Sequence, residues 1–257
     1  MSMEFIDTHT HNNDEAFAGE QDDLIAKAQK AGVIKMLQAD IDSKERPGMY
    51  SLVEMHPGVL YPMLGLYPGS VDKQWKEEMD SLLAYRDKGA VAIGEIGLDY
   101  HWSQEFREEQ KEAFRCQLEL ASRMDLPVNI HLRDATEDFF AIIEDCRSLG
   151  IRGNLHAFSG SYETFLRLQK YGQWSVGIGG VLTFRNAAVR ESVKRIPLES
   201  ILLETDSPYL TPVPYRGQRN DSSYIPLIAA ELAALKGISV EQVAETTTQN
   251  ARKLFRI

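Results

Sequence analysis

The sequence contains only two cysteines among its 257 residues, Cys116 and Cys146. Two cysteines this far apart make neither a disulfide framework nor the closely spaced pair of a zinc site. Both lie in helical patterns, and we expect them to be buried thiols. A chain of this length can bury a large core, so it does not need a disulfide.

Long hydrophobic runs are also lacking. No stretch of about eighteen apolar residues occurs, so a membrane-spanning helix is not expected. The first four residues, Met-Ser-Met-Glu, offer neither a basic segment nor a long apolar one. This beginning argues against a secretory signal and favours a cytoplasmic protein.

Positive charge is scarce too, because the formal net charge is −10 and no long basic run occurs. A nucleic acid would therefore not be held by a broad positive field. Recognition of phosphate would have to be local, through a few arginines, backbone amides and metal ions.

The composition, 43% hydrophobic and 26% charged, is that of an ordinary globular protein of one large or two small domains. Short apolar runs that are typical of strands recur along the whole chain. We expect eight strands, at 4–9, Val33–Gln38, Val59–Leu66, Ala90–Ile96, Pro127–Leu132, Arg152–His156, Trp174–Ile178 and Ser200–Thr205.

Helical periodicity fills the intervals between these strands. One apolar stripe ends at Gly32, another near Gly150 and a third at Gly237, each glycine being a typical helix stop. Ser239 and Gln242 make a capping-box pattern for a last helix through Leu254. The helix expected over 43–55 has the weakest pattern, because Pro47 and Gly48 interrupt it.

Strands that alternate with helices predict parallel pairing, and eight of them at even spacing favour a single closed (β/α)₈ TIM-type barrel over 1–257. An open doubly wound sheet is the alternative architecture. It is disfavoured by the strand count and by the absence of a Gly-x-Gly-x-x-Gly fingerprint after the first strand.

A His-x-His pair stands at the end of the first predicted strand, in Phe5–His11. Alternate side chains of a strand share a face, so Asp7, His9 and His11 are expected to point the same way. The two imidazoles could reach one metal ion. Taken alone, such a pair is also typical of a solvated strand end.

Four further strands end in metal-competent residues, where barrel enzymes place their chemistry. These residues are Glu95, His131, His156 and Asp206. Each has another interpretation, as a solvated strand end, a core histidine or a turn residue, but their repeated placement at one end of a barrel favours a metal site.

Four histidines and two carboxylates exceed the three protein ligands of one catalytic zinc ion. We therefore expect two divalent ions with Glu95 between them. Nitrogen and oxygen donors without cysteine fit Mg, Mn or Zn.

Several long motifs resemble the TatD-type metal-dependent deoxyribonucleases, within the amidohydrolase-like metal hydrolases. The motifs span nearly the whole chain and occur at Phe5–His11, Ile93–Tyr100, Gln117–Ala121, Ile130–Ala135, Leu155–Gly160, Leu202–Pro212, Tyr215–Asn220 and Thr248–Phe255. Members often carry Gly-Val-His-Pro after the third strand, where this chain has Tyr67 in place of the histidine and Leu66 before it. Ala157 stands where members often have cysteine.

The resemblance implies a TIM-type barrel and divalent-metal hydrolysis of phosphodiesters, usually exonucleolytic and Mg-dependent. It implies as metal ligands the six residues His9, His11, Glu95, His131, His156 and Asp206. Glu95 and Asp206 would be the catalytic carboxylates, with Asp206 orienting or deprotonating the attacking water. Tyr67 puts the substrate preference in question, since the absent histidine could help to bind phosphate.

Several residues near the predicted strand ends could contact substrate. We expect Arg216 and Arg219, after the eighth strand, to bind phosphate, with a role as ordinary surface charges as the alternative. Arg133 and Arg185 follow the fifth and seventh strands and lie near the same rim. The aromatic residues at the predicted strand ends could stack on a base of the substrate, or they could pack in the core or at the rim. These residues are Tyr67, Tyr100, Trp102 and Phe158.

Three further polar residues are ambiguous. Glu204 is either a supporting base or a buried carboxylate paired with an arginine. His101 lies near the predicted rim and could contact substrate or solvent, and His56 is expected to be solvated.

The expected function is therefore a metal-dependent deoxyribonuclease or exonuclease acting on single-stranded DNA or on ends. One alternative is a metal-dependent hydrolase of a lactone, a cyclic amide or a small phosphoester. Another is a binding protein that keeps a structural metal. The oligomeric state is open, and a monomer is compatible with the sequence.

Overall fold

A computed structural model describes residues 3–257 of the chain. Its centre is one sheet of eight parallel strands, each hydrogen-bonded to the next in chain order. The strands are β1 (Phe5–Thr10), β2 (Val33–Gln38), β3 (Leu60–Leu64), β4 (Ala92–Asp99), β5 (Val128–Arg133), β6 (Gly153–Leu155), β7 (Trp174–Ile178) and β8 (Ile201–Leu203).

Helices follow the strands and cover the outside of the sheet. They are α1 (Gln21–Lys30), α2 (Arg46–Met55), α3 (Trp75–Leu83), α4 (Arg107–Met124), α5 (Thr136–Asp145), α6 (Tyr162–Leu168), α7 (Val189–Arg195), α8 (Ile225–Lys236) and α9 (Val240–Phe255). Gly150 and Gly237 adopt the left-handed conformation at φ +64° and +67°, as expected of helix stops. The Ser239 side chain caps α9 by accepting a hydrogen bond from the Gln242 amide.

The sheet nearly closes into a barrel between β1 and the chain just after β8. The Asp206 amide donates to the His9 carbonyl and the His11 amide donates to the Ser207 carbonyl, both at 2.9 Å. The predicted (β/α)₈ barrel is confirmed, and the open-sheet alternative is wrong. Because all strands are parallel, their carboxyl ends meet at one rim.

The strand and helix ends differ from expectation at several places. β4 continues to Asp99 instead of ending at Ile96, whereas β8 ends at Leu203 and leaves Glu204–Asp206 beyond the ladder. The interruption expected in α2 does not occur. Pro47 lies in the first turn of α2, where a missing backbone N–H breaks no helical hydrogen bond.

The expectation of two buried thiols is wrong for Cys116, which is exposed, while Cys146 is half-buried. The inward stripe of α4 is formed by Ala113, Phe114, Leu118 and Ala121, and position 116 falls on the opposite side. Within residues 3–257, no single helix is both long and apolar enough to cross a membrane. The segments Ser222–Lys236 and Val240–Phe255 are long and apolar enough only when they are counted together, and the chain bends by 111° between them.

Candidate metal centre

The barrel brings all six predicted donor residues to one place at its carboxyl rim. His9 lies in β1, Glu95 in β4 and His131 in β5. His11 and His156 directly follow β1 and β6, and Asp206 lies three residues beyond the end of β8. Four of these six side chains are buried, and the side chains of His131 and Asp206 are 16% and 17% exposed.

The first group of donors surrounds the imidazole of His9. Nε2 of His9 lies 3.2 Å from Nε2 of His11 and 3.6 Å from Oδ1 of Asp206. Oε2 of Glu95 lies 3.4 Å from the same His9 nitrogen and 3.7 Å from Nε2 of His11. Two imidazole nitrogens and two carboxylate oxygens thus converge on one point.

The second group uses the other oxygen of the same carboxylate. Oε1 of Glu95 lies 2.8 Å from Nδ1 of His131 and 2.9 Å from Nε2 of His156, and these two nitrogens are 3.2 Å apart. Glu95 therefore presents one oxygen to each of two histidine pairs. A carboxylate in this position is able to bridge two cations.

These separations fit metal coordination. Two ligand atoms that each lie about 2.1 Å from one tetrahedral ion are about 3.4 Å apart. In octahedral geometry adjacent ligands are about 3.0 Å apart. The donors of His9, His11 and Asp206 lie within 4.8 Å of one another, as do those of His9, Glu95 and His156. The residues present thus fit one or two divalent ions.

Two further side chains set the protonation of these histidines, and the sequence analysis missed both. Nδ1 of His9 lies 2.8 Å from Oδ1 of Asn129, and Nε2 of His131 lies 2.8 Å from Oδ2 of Asp99. Each acceptor holds the ring proton on the outer nitrogen, so the lone pair of the inner nitrogen faces the other donors. Asn129 lies two residues before His131, and this same-face spacing could have revealed it.

Charge coupling shifts the acidities of these groups. Burial by itself would raise the pKa of Glu95, but the surrounding imidazoles, His156 and His9 above all, hold that pKa well below its usual value. Asp206 is likewise opposed by burial, yet His11, His156 and His9 lower its pKa. Both carboxylates are therefore ionised and ready to bind a cation.

The same coupling acts on the histidines in the opposite direction. Burial would lower the pKa of His11, of His131 and of His156, and the adjoining carboxylates raise all three above 6.5. Without a cation the centre therefore holds protons where a cation would bind.

Glu204 lies beneath this centre and is fully buried. Its Oε1 accepts a hydrogen bond from the Ala157 amide and lies 3.7 Å from Nδ1 of His156. Within residues 3–257 it has no arginine partner, so the arginine-paired alternative is wrong. A Cβ at Gly177 would collide with the Glu204 carboxylate, which explains why this position is glycine.

A cavity of about 670 Å³ opens above the donors. Its walls combine aromatic, apolar and charged side chains, including Tyr67, Trp102, Arg133, Tyr209 and Leu210. The Tyr67 ring stands edge-on to the His131 imidazole, with centroids 5.1 Å apart, and its hydroxyl lies 3.5 Å from Oδ2 of Asp99. Arg133 is the only arginine among the described residues of this lining, and its guanidinium lies 5.4 Å from the exposed Trp102 ring.

The other arginines proposed from the sequence lie outside this lining. Arg219 pairs with Glu20 at 2.5 Å and lies over the Phe17 ring, while Arg216 lies over the Phe184 ring, 4.1 Å from its centroid. Arg185 is exposed. The structure therefore does not bring these three together with the six donors.

Among the remaining predicted residues, Tyr100 and Phe158 are buried, and the Tyr100 hydroxyl donates to Asp138. His101 is exposed and pairs with Asp134. His56 is not freely solvated as expected, because its side chain is 20% exposed and its Nε2 lies 2.9 Å from Asp22. None of these four lines the cavity.

Comparison with known proteins agrees with this geometry. A family model described as TatD related DNase matches residues 6–256. The chain is 38% identical over 257 residues to an uncharacterized metal-dependent hydrolase, YabD of Bacillus subtilis (strain 168), covering 98% of this chain and 99% of the relative. It is 34% identical over 247 residues to the 3'-5' ssDNA/RNA exonuclease TatD of Pantoea ananatis, covering 93% and 94% of the two chains.

A solved structure has the same fold. The crystal structure of YjjV, a TatD homologue from Escherichia coli K12, superposes with a TM-score of 0.91 at 29% identity, covering 98% of each chain.

Proposed function

This chain belongs to the TatD-related DNase family and is a metal-dependent hydrolase, and from that premise we propose that it is a deoxyribonuclease that shortens single-stranded DNA from an end. A relative named as a 3'-5' ssDNA/RNA exonuclease supports this choice of substrate. Residues 1–257 act as one catalytic domain in this proposal, supported by a single sheet that contributes donors from its first strand to its last.

The observation that carries the proposal is the position of Glu95 between two histidine pairs. Each of its oxygens faces a separate set of nitrogens at 2.8–3.7 Å. In the proposal His9, His11 and Asp206 would hold one divalent ion, His131 and His156 would hold a second, and Glu95 would offer one carboxylate oxygen to each. Mg, Mn and Zn all suit these nitrogen and oxygen donors.

Divalent ions bound here would supply Lewis acidity and lower the pKa of the attacking water molecule, whose oxygen bonds to phosphorus as the bond from phosphorus to the leaving sugar oxygen breaks. The chain's own residues do the rest. Asp206, ionised and next to His11, orients the water and accepts its proton. Asn129 and Asp99 keep His9 and His131 in the tautomers that bind.

The walls of the cavity support a short, single-stranded substrate. Arg133 offers one guanidinium to a phosphate, and the exposed Trp102 beside it offers a face on which a base could stack. Asp14 and Glu45 also line the cavity and would repel a long polyanion. Arg216 and Arg219 remain proposed phosphate contacts for the part of the strand that extends beyond the rim.

The proposal includes a cytoplasmic location and a monomeric state. Cys116 and Cys146 are both free thiols in the described chain, which fits a reducing compartment. All six donors come from one chain, so catalysis would need no second copy.

The test is hydrolysis of single-stranded oligonucleotides labelled at the 3' or the 5' end, with Mg, Mn and Zn in turn and with a chelator. We expect metal-dependent shortening from one end. Asp206→Asn should keep the fold and most of the metal affinity, but it should lower turnover by roughly a hundredfold to ten-thousandfold.

Near-wild-type turnover in Asp206→Asn would refute its role as proton acceptor. An absence of cleavage with every metal, in a protein that binds ions, would refute the nuclease proposal. A panel of lactone, cyclic amide and small phosphoester substrates would then identify the bond that is hydrolysed.

A further inference from the structure

An ion pair buried beside the metal centre, but not part of it, involves Arg46 of α2 and Asp40 just after β2. Arg46 is 0% and Asp40 is 1% exposed. Nε of Arg46 lies 2.6 Å from Oδ2 of Asp40. Removing two charges from water is costly, and hydrophobic residues of similar volume often stabilise a fold equally well. The pair therefore requires an explanation beyond stability.

Both charged groups hold the same residue, Gly65, by its backbone. Oδ2 of Asp40 accepts a hydrogen bond from the Gly65 amide at 3.1 Å, and Nη2 of Arg46 donates to the Gly65 carbonyl at 3.2 Å. β3 ends at Leu64, so Gly65 is the first residue beyond its ladder. The ion pair thus fixes the backbone at the point where the strand no longer does.

Gly65 lies directly against the peptide that carries Glu95. A Cβ at Gly65 would come within 2.8 Å of the Gly94 carbonyl carbon and within 3.0 Å of the Glu95 nitrogen and oxygen. No side chain fits between these two backbones. The position of Gly65 therefore sets how far the Gly94–Glu95 peptide can approach it.

Asp40 also holds that peptide through its own backbone. The Glu95 amide donates to the Asp40 carbonyl at 3.1 Å, and the Asp40 amide donates to the Gly94 carbonyl at 3.3 Å. These bonds join the end of β2 to β4, although β3 lies between them in the sheet. Asp40 and Gly65 thus fix the Glu95 backbone from two directions.

We infer that the Asp40–Arg46 ion pair is a positioning device that aims the Glu95 carboxylate at both histidine pairs. A bridging carboxylate tolerates little displacement, because both of its oxygens must meet a cation. In the described part of the chain, the side chains of Arg46 and Asp40 pair with none of the six donor side chains, so they act through the backbone of Glu95. This inference rests on the proposed function, since it requires two ions bridged by Glu95.

Electron paramagnetic resonance of the Mn²⁺-loaded protein tests the inference. Two Mn²⁺ ions bridged by a carboxylate are spin-coupled, and their spectrum differs from that of isolated Mn²⁺. We expect a coupled spectrum for the wild type and a mostly uncoupled one for Arg46→Met and for Asp40→Asn. We also expect each substitution to weaken Mn²⁺ binding by roughly tenfold to a hundredfold.

Leu232→Ala is the control for a merely structural effect. Leu232 is fully buried on α8, away from the ion pair, and its truncation lowers thermal stability by leaving a cavity. We expect this variant to melt earlier but to keep the coupled spectrum. Arg46→Lys retains the charge with fewer fixed donors, so it replaces Arg46→Met if that variant fails to fold, and partial coupling is expected.

Wild-type coupling in folded Arg46 and Asp40 variants would overturn the inference and leave the two-ion proposal intact. Loss of coupling in Leu232→Ala as well would also overturn it, because any destabilisation would then suffice. An uncoupled spectrum in the wild type would instead refute the bridged two-ion centre itself.

Discussion

His9 occupies a central position among the donor residues, because one of its ring nitrogens lies within 4.8 Å of a donor atom of His11 and of a donor atom of His156. Its ring also stacks on His156, with centroids 3.9 Å apart and planes 7° from parallel. The nitrogen that faces a cation is decided by the hydrogen bond at the other nitrogen, and Asn129 makes that bond. Asn129, which is not one of the six donor residues, thus fixes the tautomer of one of them.

Substitution of Asn129 tests this dependence. We expect Asn129→Leu, which keeps the branched shape but removes the acceptor, to weaken divalent-metal binding by roughly tenfold to a hundredfold, as measured by calorimetry. Asn154→Leu is the matched control, because Asn154 is equally buried on the next strand and bonds Asn129 but no histidine in the described chain. Equal losses in the two variants would contradict a specific role of Asn129.

The arginines allow a second prediction at the scale of single residues. Arg133 lines the cavity, whereas Arg219 is already paired with Glu20. We expect Arg133→Ala to raise KM for an oligonucleotide more than Arg219→Ala does, and Arg216→Ala to raise KM more than it lowers kcat. Initial rates at a series of oligonucleotide concentrations give both parameters. An unchanged KM in Arg216→Ala would remove that residue from the substrate site.

Among the secondary-structure elements, the two shortest strands are each followed by one of the six donor residues. β6 and β8 have three residues each, and His156 and Asp206 lie beyond their ladders. Asp206 adopts a left-handed backbone at φ +57°, which Asp tolerates better than most residues. Loops of this kind allow side chains to leave the regular alternation of the strand and point into the site.

Helix α7 is short, and a lysine from the neighbouring helix completes its carboxyl end. Nζ of Lys236 donates to the carbonyl of Val193 at 2.8 Å and to that of Ile196 at 2.6 Å. We expect Lys236→Met to lower the free energy of unfolding by about 1 kcal/mol, because these carbonyls lose their donor. Urea titration measures the change. Lys253→Met, on the exposed face of α9, should have almost no effect, and an equal loss there would contradict the interpretation.

For the whole molecule, the charge state of the centre links stability to pH. His11, His131 and His156 have pKa values above their unfolded value of 6.5 in the metal-free protein. Their contribution to stability is therefore complete below about pH 6.5 and is lost as pH rises through the folded pKa values. Metal binding has the opposite dependence, because protons and cations compete for the same nitrogens.

Melting temperatures between about pH 6.5 and about pH 9 test this linkage. With a chelator present we expect the protein to remain folded at room temperature and its melting temperature to fall as pH rises. With saturating Mn²⁺ we expect the stabilisation by metal to grow over the same range. His56→Ala, which lies outside the centre, should leave both trends unchanged. Parallel trends with and without metal would contradict the assignment of these imidazoles as ligands.

Much of the fold and of the candidate site could be predicted from local patterns in the sequence. Hydrophobic runs, helix periodicity and glycine stops depend on neighbouring residues, so they predicted eight parallel strands and hence a barrel. Since parallel strands end at one rim, residues at strand ends must converge, and this placed His9, Glu95 and His131 together without any knowledge of distances.

The tertiary structure alone decided how these residues are used. Which oxygen of Glu95 faces which histidine pair, and which nitrogen of His9 is held by Asn129, depend on partners that are far apart in the chain. Arg219 pairs with Glu20, and Arg46 pairs with the buried Asp40. Neither partner could be predicted from the sequence, because three-dimensional packing determines which group a long, charged side chain contacts. The sequence by itself determined which chemical groups reach the rim, and long-range packing determined their orientation and protonation.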